Sequence, residues 1–126
     1  MSTEIGRGRA TFARAVFWAA LAFTVVMATL PQPPAALSTP SDKVNHVIAF
    51  FVLTALHKLV YRDFGFWKRL VVMAALGGLI ELVQMVPALH RDAEWLDWAA
   101  DVAAALVASC LVSVWVPRER TSQETA

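Results

Sequence analysis

The chain has 126 residues, of which 58% are hydrophobic and 17% are charged, whereas soluble domains usually have about 25% charged residues. This length allows one domain, and the apolar excess favours a membrane protein over a soluble protein with a large core. The formal net charge of +1 gives no support to nucleic-acid binding. The single cysteine, Cys110, excludes an intrachain disulfide and a cysteine-based zinc site.

Four apolar stretches predict four transmembrane helices in an all-α bundle. The first runs from about 10 to 30, after a polar tail at 1–9, and stops at Pro31. About 20 apolar residues at about 1.5 Å each cross a hydrocarbon core. A cleaved signal peptide shares this basic-then-apolar pattern. The length of the run, and the apolar runs that follow it, favour a retained helix.

The second helix is predicted at about 43–60. It follows a loop at 31–40 whose four prolines cannot continue a helix. Ser41 or Asp42 is a suitable N-cap for it. A short turn of basic and aromatic residues, 61–69, then leads into the third helix.

The third helix is predicted at about 70–86 and the fourth at about 95–116, each ending where a proline follows. The transmembrane domain therefore covers 10–116, and residues 117–126 form a polar tail. Small residues on the two helices let their backbones approach closely, so we expect these faces to pack together. The small-residue positions are Ala74 and Gly78 on the third helix and Ala100, Ala104 and Ala108 on the fourth.

The basic residues predict the topology. Nine of the eleven lysines and arginines fall on one side of the predicted bundle, and Lys43 and Arg91 fall on the other. The positive-inside rule then places both termini in the cytoplasm. The nine are Arg7, Arg9, Arg14, Lys58, Arg62, Lys68, Arg69, Arg118 and Arg120.

Polar residues from three helices are predicted to meet in one layer near the outer surface. Glu81 and Asp101 each lie about six residues, or about 9 Å, from the outer end of their helix, and His46 lies about 6 Å in. A carboxylate in hydrocarbon costs about 2.5 to 3.5 kcal/mol on insertion scales, so such groups usually face a protein interior and mark function. Asp42, Gln84, Arg91 and Asp97 lie just above these three.

Two carboxylates in such a layer repel each other unless a proton, a cation or a basic side chain lies between them. Arg91 is the natural partner because its planar fork binds carboxylates in bidentate fashion, and Lys43 is the second option. A divalent metal held by His46, Glu81 and Asp101 is a third arrangement. Because no ligand spacing typical of a metal site supports it, we expect no metal and no cofactor.

The same residues also have purely structural interpretations. Glu81 and Gln84 are three residues apart and form a suitable interhelical hydrogen-bonding pair. Asp97 is a first-turn acid of the kind that the helix dipole favours. The combination of several polar groups at one depth favours a functional site over these separate explanations.

Three segments, in order, resemble the motifs of VanZ-like membrane proteins. SDKVNHVIAFFVL at the start of the second helix resembles the family's DK-x-x-H opening, and GLIELVQMVP is similar to its apolar-E-x-x-Q segment. HRDAEWLDWAADVAAAL resembles its R…D-x-x-x-N/D-x-x-G segment. It departs from that segment in having Asp101 where many members have Asn, which adds a negative charge, and Ala104 and Ala105 in the usual glycine region. The resemblance covers residues 41 to about 108. It implies a small multi-pass protein of the bacterial inner membrane, related to one associated with teicoplanin resistance. By position, the family's polar residues fall on Asp42, Lys43, His46, Glu81, Gln84, Arg91, Asp97 and Asp101.

Two functions are compatible with this pattern. In the first, an outward-facing polar site binds an envelope component, a membrane lipid or an amphiphilic antibiotic without catalysis. In the second, a membrane enzyme acts on a lipid-linked or anionic envelope substrate, with Glu81 or Asp101 as general base and Arg91 holding the anionic group. A proton-coupled transporter is a third and weaker option. No serine or cysteine lies near the polar layer, which argues against acyl transfer through such a nucleophile.

The topology can be tested with fusions to a reporter that is active only outside the inner membrane. We expect no activity from a fusion at residue 126, because the basic residues keep the C-terminal tail inside. A fusion within 33–38 should be active. An active fusion at residue 126 would instead favour a cleaved first segment and three spans.

Overall fold

The computed structural model describes residues 2–31 and 42–116, with side chains from residue 4 in the first range and from residue 43 in the second. Over these residues the protein is entirely helical and has no strand, so the all-α prediction is confirmed. A single 3₁₀ turn, Pro87–Leu89, follows the third helix. The helices are α1 (Ser2–Thr29), α2 (Asp42–Val60), α3 (Phe66–Gln84) and α4 (Trp95–Trp115).

Two helices begin earlier than the apolar runs predict. α1 begins at Ser2 rather than near residue 10, and α3 begins at Phe66 rather than near residue 70. Hydropathy marks where a helix can enter hydrocarbon, whereas the helix itself continues through polar residues that keep its hydrogen bonds. The prediction from apolar runs therefore misses the polar turns at these two N-termini.

Prolines set two of the helix ends. Val86 precedes Pro87 and has the extended angles φ −67° and ψ 118°, so α3 ends at Gln84. Val116 precedes Pro117 and leaves the helical region at φ −125° and ψ 84°. A proline ring disfavours the helical conformation of the residue before it, and this accounts for both ends.

Contacts between helix ends show which way each helix runs. Lys43 of α2 forms an ion pair with Asp97 of α4, so the N-terminal ends of these two helices lie together. Gln84, the last residue of α3, donates to the Ala28 carbonyl near the end of α1 across 2.9 Å. Glu81, near the end of α3, accepts a hydrogen bond from the N–H of Glu94, directly before α4, so α1 and α3 run antiparallel to α2 and α4. The most extensive packing is between α2 and α4, and α3 also packs on α4.

Three of the helices are long and apolar enough to cross a membrane, namely the segments Glu4–Thr29, Lys43–Val60 and Trp95–Trp115. In the most apolar window of α1, only 6% of the residues are buried inside the protein. Large apolar side chains such as Phe12 and Phe23 are exposed on this helix. Hydrocarbon is the solvent that such a surface fits, because extended apolar patches are rare on soluble monomers.

The middle of the bundle has an apolar core. Phe50 and Leu53 of α2 are buried against Met73 and Ile80 of α3, and alanines of α4 complete the cluster. Ala105 and Ala108 have no exposed surface, so α4 presents a smooth face that allows close helix packing. This core separates two buried polar regions at opposite ends of the bundle.

The first buried polar region lies where α2 ends and α3 begins. The Nε atom of Arg69 donates to Nδ1 of His57 across 3.0 Å, and another guanidinium nitrogen donates to the carbonyls of Tyr61 and Phe64 at 3.2 and 2.8 Å. Lys58 is also buried and donates to the Arg62 carbonyl. Carbonyls at a helix C-terminus lack partners within the helix, so basic side chains there stabilise the turn.

Of the two glycines of α3, Gly77 makes the closer contact with α4, whereas the sequence predicted Gly78. A Cβ atom at Gly77 would lie 2.9 Å from Oδ2 of Asp101, and one at Gly78 would lie 3.6 Å from the nearest atom of Trp98. Both glycines are within one turn of Glu81, so spacing alone does not separate them. The rotation of α3 about its axis, which the tertiary packing sets, places Gly77 at the contact.

We expect opposite results from Gly77→Ala and Gly78→Ala. The new methyl group of Gly77→Ala would lie 2.9 Å from Oδ2 of the fully buried Asp101, so the carboxylate has to shift, and we expect the free energy of unfolding to fall by about 1 to 3 kcal/mol. Gly78→Ala makes an ordinary contact and gains up to about 1 kcal/mol of helix propensity. Thermal unfolding of the two variants in detergent, followed by circular dichroism, measures the difference. Equal stability of the two variants would contradict the assigned contact.

Candidate functional site

Asp101 is at the centre of the second buried polar region, which the N-terminal ends of α2 and α4 form with the C-terminal end of α3. Its side chain has no exposed surface. The Nδ1 atom of His46, on α2, lies 3.2 Å from Oδ1 and 3.3 Å from Oδ2 of this carboxylate. His46 is itself only 6% exposed. The centre of the site is therefore a contact between a buried histidine and a buried aspartate on two different helices.

Glu81 brings a second carboxylate from α3 into this region. One ring nitrogen of His46 and one carboxylate oxygen each of Glu81 and Asp101 lie within 4.8 Å of one another, and all three residues are buried. Oε2 of Glu81 accepts a hydrogen bond of 3.0 Å from the backbone N–H of Glu94. Oε1 is buried and has no hydrogen-bond partner among the residues that the structure describes.

Lys43 supplies positive charge beside these acids. It pairs with Asp97, which is buried, and its Nζ atom lies 3.6 Å from the Glu94 carboxylate. The sequence named Arg91 as the natural partner of Glu81 and Asp101, with Lys43 as the second option. The ion pairs of Lys43 go to Asp97 and Glu94, so they hold the start of α2 to the start of α4.

Two further predicted residues have different surroundings. Gln84 is buried on α3 and its amide group donates to the Ala28 carbonyl, so it joins α3 to α1 rather than to the carboxylates. Asp42 is the first residue of α2, but its side chain lies outside the described part of the chain. The prediction for its side chain therefore stays a prediction.

Arg91 lies at a cavity of about 350 Å³ between α1 and α2. Most of the cavity wall is apolar, including Phe23 of α1 and Ile48 and Val52 of α2. Its polar lining includes Asn45 and His46 near the start of α2, together with Arg91. His46 thus belongs both to this cavity and to the carboxylate cluster.

Sequence reasoning missed two contributors to the site. Glu94 holds Glu81 through its backbone N–H and Lys43 through its carboxylate. Its position directly before α4 was the available signal, because backbone N–H groups at a helix start have no partner within the helix. Asn45, which lines the cavity, was not predicted as part of the site. Its neighbour His46 faces the carboxylates, and only the packing of α1 shows that Asn45 faces a cavity.

The arrangement allows two kinds of chemistry. The pair of His46 and Asp101, with Glu81 beside it, provides groups that accept and donate protons in a region away from water. The apolar cavity with Arg91 at its polar end fits a molecule that has an apolar tail and an anionic head.

Comparison with known proteins finds no family model that matches the chain, no significantly similar curated protein and no significantly similar solved structure. The resemblance to the VanZ-like family therefore stays a prediction from three sequence motifs.

Proposed function

We propose that the chain is a VanZ-like integral membrane protein of the bacterial inner membrane, with an outward-facing polar site that binds an amphiphile of the cell envelope or an amphiphilic antibiotic. The observation that carries this proposal is the apolar cavity between α1 and α2, with Arg91, Asn45 and His46 in its lining. In this proposal the tail of the amphiphile lies between the two helices and its head group lies against the polar residues.

The directions of the helices support α3 as a fourth span, and the excess of basic residues on one side supports cytoplasmic termini. The ion pair of Lys43 with Asp97 joins the N-terminal ends of α2 and α4, two helices that are long and apolar enough to span. If both cross the membrane in the same direction, α3 has to return through the same thickness. Its 19 residues measure about 28 Å, close to the hydrocarbon thickness of about 30 Å.

The dimensions and walls of the cavity support an amphiphilic ligand. Its volume of about 350 Å³ lies within the range of small-molecule sites, about 300 to 1,000 Å³. Phe23, Ile48 and Val52 line it and also expose part of their surface, so the cavity is accessible from the side of the bundle. A ligand dissolved in the bilayer enters such a site laterally, without crossing the polar layer.

Arg91 is the residue that we assign to the head group. A guanidinium group binds phosphate or carboxylate through two parallel hydrogen bonds and keeps its charge at any physiological pH. Its place in the cavity lining puts it within reach of a ligand whose tail occupies the apolar part. The site therefore favours amphiphiles with an anionic head over neutral ones.

The binding proposal predicts that Arg91→Ala retains less anionic amphiphile than the wild type. The expected loss is at least fivefold, because the charged contact to the head group is removed while the apolar walls remain. Native mass spectrometry of the full chain purified from membranes in mild detergent measures the bound molecules. Arg62→Ala is the matched control, since Arg62 lies in the turn at the opposite end of the bundle. Equal occupancy in Arg91→Ala and Arg62→Ala would contradict the proposal.

A membrane enzyme is the second candidate, and the buried contact of His46 with Asp101 beside Glu81 favours it specifically. In this alternative Glu81 or Asp101 removes a proton from a lipid-linked or anionic substrate and Arg91 holds the anionic group. A general base of this kind contributes about 10²- to 10⁴-fold to a rate.

Glu81→Gln separates the two candidates, because it keeps the shape of the side chain and removes its ability to act as a base. The binding function predicts partial activity in this variant, whereas a general-base role for Glu81 predicts a loss of at least 100-fold. Survival with an envelope-directed antibiotic is the readout, at membrane levels matched to the wild type. Asp101→Asn applies the same test to the other acid. Wild-type survival of Glu81→Gln, Asp101→Asn and Arg91→Ala would remove both functions and leave these residues a structural role.

A further inference from the structure

We propose that His46, Glu81 and Asp101 bind one divalent transition-metal ion of the Zn²⁺ class. Each of these residues contributes a possible ligand atom, and the three atoms lie within 4.8 Å of one another. They come from α2, α3 and α4, so an ion at their centre would join three helices. The sequence analysis expected no metal because the three residues are far apart in the chain and follow no ligand spacing.

The contact between His46 and Asp101 has the separation expected of two ligands of one ion. Nδ1 lies 3.2 and 3.3 Å from the two carboxylate oxygens. Hydrogen bonds between charged groups are usually about 2.7 to 2.9 Å long, so this contact is long for one. Ligand atoms at about 2.0 Å from a tetrahedral zinc ion are about 3.3 Å apart. The third ligand atom, a carboxylate oxygen of Glu81, lies within 4.8 Å of the other two.

Glu81 provides the independent observation that points to a ligand. Its side chain is more than nine-tenths buried, and Oε1 has no hydrogen-bond partner in the described part of the chain. A buried acceptor without a partner costs about 1 to 3 kcal/mol, and more when the group is charged. Oε2 is already held by the N–H of Glu94, which fixes the carboxylate beside His46 and Asp101. A cation bound by Glu81 in this cluster would give its carboxylate a further partner.

Charge balance favours a divalent ion. Glu81 and Asp101 together carry two negative charges when ionised, and both are buried. Lys43 forms its ion pairs with Asp97 and Glu94, at the edge of the region, rather than with Glu81 or Asp101. One divalent cation neutralises the two remaining carboxylates, which a low-dielectric site otherwise disfavours as a charged pair.

The types of ligand select the ion. One imidazole nitrogen and two carboxylate oxygens suit Zn²⁺ and related transition metals, whereas Ca²⁺ requires six to eight oxygen ligands and Mg²⁺ prefers oxygen and water. Three protein ligands leave one position of a tetrahedral ion open. His46 also lines the cavity, so an ion held by it would lie close to the proposed head-group site. This last consequence rests on the proposed function, but binding of the ion does not.

The test is titration of the metal-stripped full chain in detergent with Zn²⁺ alone, measured by calorimetry. We expect one ion per chain. Glu81→Gln, Asp101→Asn and His46→Ala should each weaken binding at least tenfold, because each removes one ligand. His90→Ala and Asp92→Asn are the matched controls, since they remove an exposed imidazole and an exposed carboxylate from the neighbouring loop. Both controls should bind Zn²⁺ like the wild type.

A wild-type chain that binds no Zn²⁺, or binding that survives Glu81→Gln but is lost in His90→Ala, would overturn the proposal. A second measurement needs no variant, and so does not depend on whether the substituted chains fold. Co²⁺ bound to the wild type should show the visible absorption of a four-coordinate site with nitrogen and oxygen ligands. Absence of this absorption at saturating Co²⁺ would also overturn it. Because both experiments measure the bound metal ion and neither measures a bound envelope amphiphile, these results are independent of the proposed binding function.

Discussion

The burial of the Asp101 carboxylate is the constraint on which the rest of this bundle depends. It has no exposed surface, and residues of two neighbouring helices pack closely against it. α2 places His46 against both of its oxygens, and α3 places Gly77 where any larger residue would collide with Oδ2. An isolated charge is too costly to leave in an apolar interior, so the residues around it must provide a proton, a cation or hydrogen bonds. The positions of α2 and α3 follow from that requirement.

The two buried polar regions of the bundle differ in how completely their groups are paired. At the end of α2, Arg69 makes three hydrogen bonds, to the His57 ring and to carbonyls of the following turn. These hydrogen bonds stabilise the turn between α2 and α3, so the polar groups of that region have a structural role. At the opposite end, Glu81 retains a buried oxygen without a hydrogen-bond partner among the described residues. Buried polar atoms without a partner are rare in folded proteins. Among the described residues they are Oε1 of Glu81 and Oγ of Ser109, and of these two only Glu81 is ionisable and lies in a cluster of possible metal ligands.

The sequence predicts the helices well because apolar length and proline positions are local signals. Four helices, and the ends of α3 and α4 next to prolines, follow directly from them, whereas the polar first turns of α1 and α3 do not. Helix offsets also indicated that His46, Glu81 and Asp101 lie at similar depth. The depth of a residue along a helix does not determine how the helix is rotated about its axis. For this reason the sequence pointed to Gly78 instead of Gly77 as the contact with α4. The contacts of Lys43, and the cavity beside Arg91, depend on how three helices pack, so no short-range pattern contains them.

His46 connects the two halves of the polar region, since it contacts Asp101 on one side and lines the cavity on the other. An anionic head group that approached the two carboxylates directly would be repelled by them. The proposed cation held by His46, Glu81 and Asp101 would remove that repulsion, and Arg91 would add a second positive charge at the cavity. The buried acids would then not compete with the ligand, because their charge would hold the ion that attracts it. With the ion bound, the cost of burying two carboxylates would be offset, and the cavity between α1 and α2 would provide an apolar place for the tail.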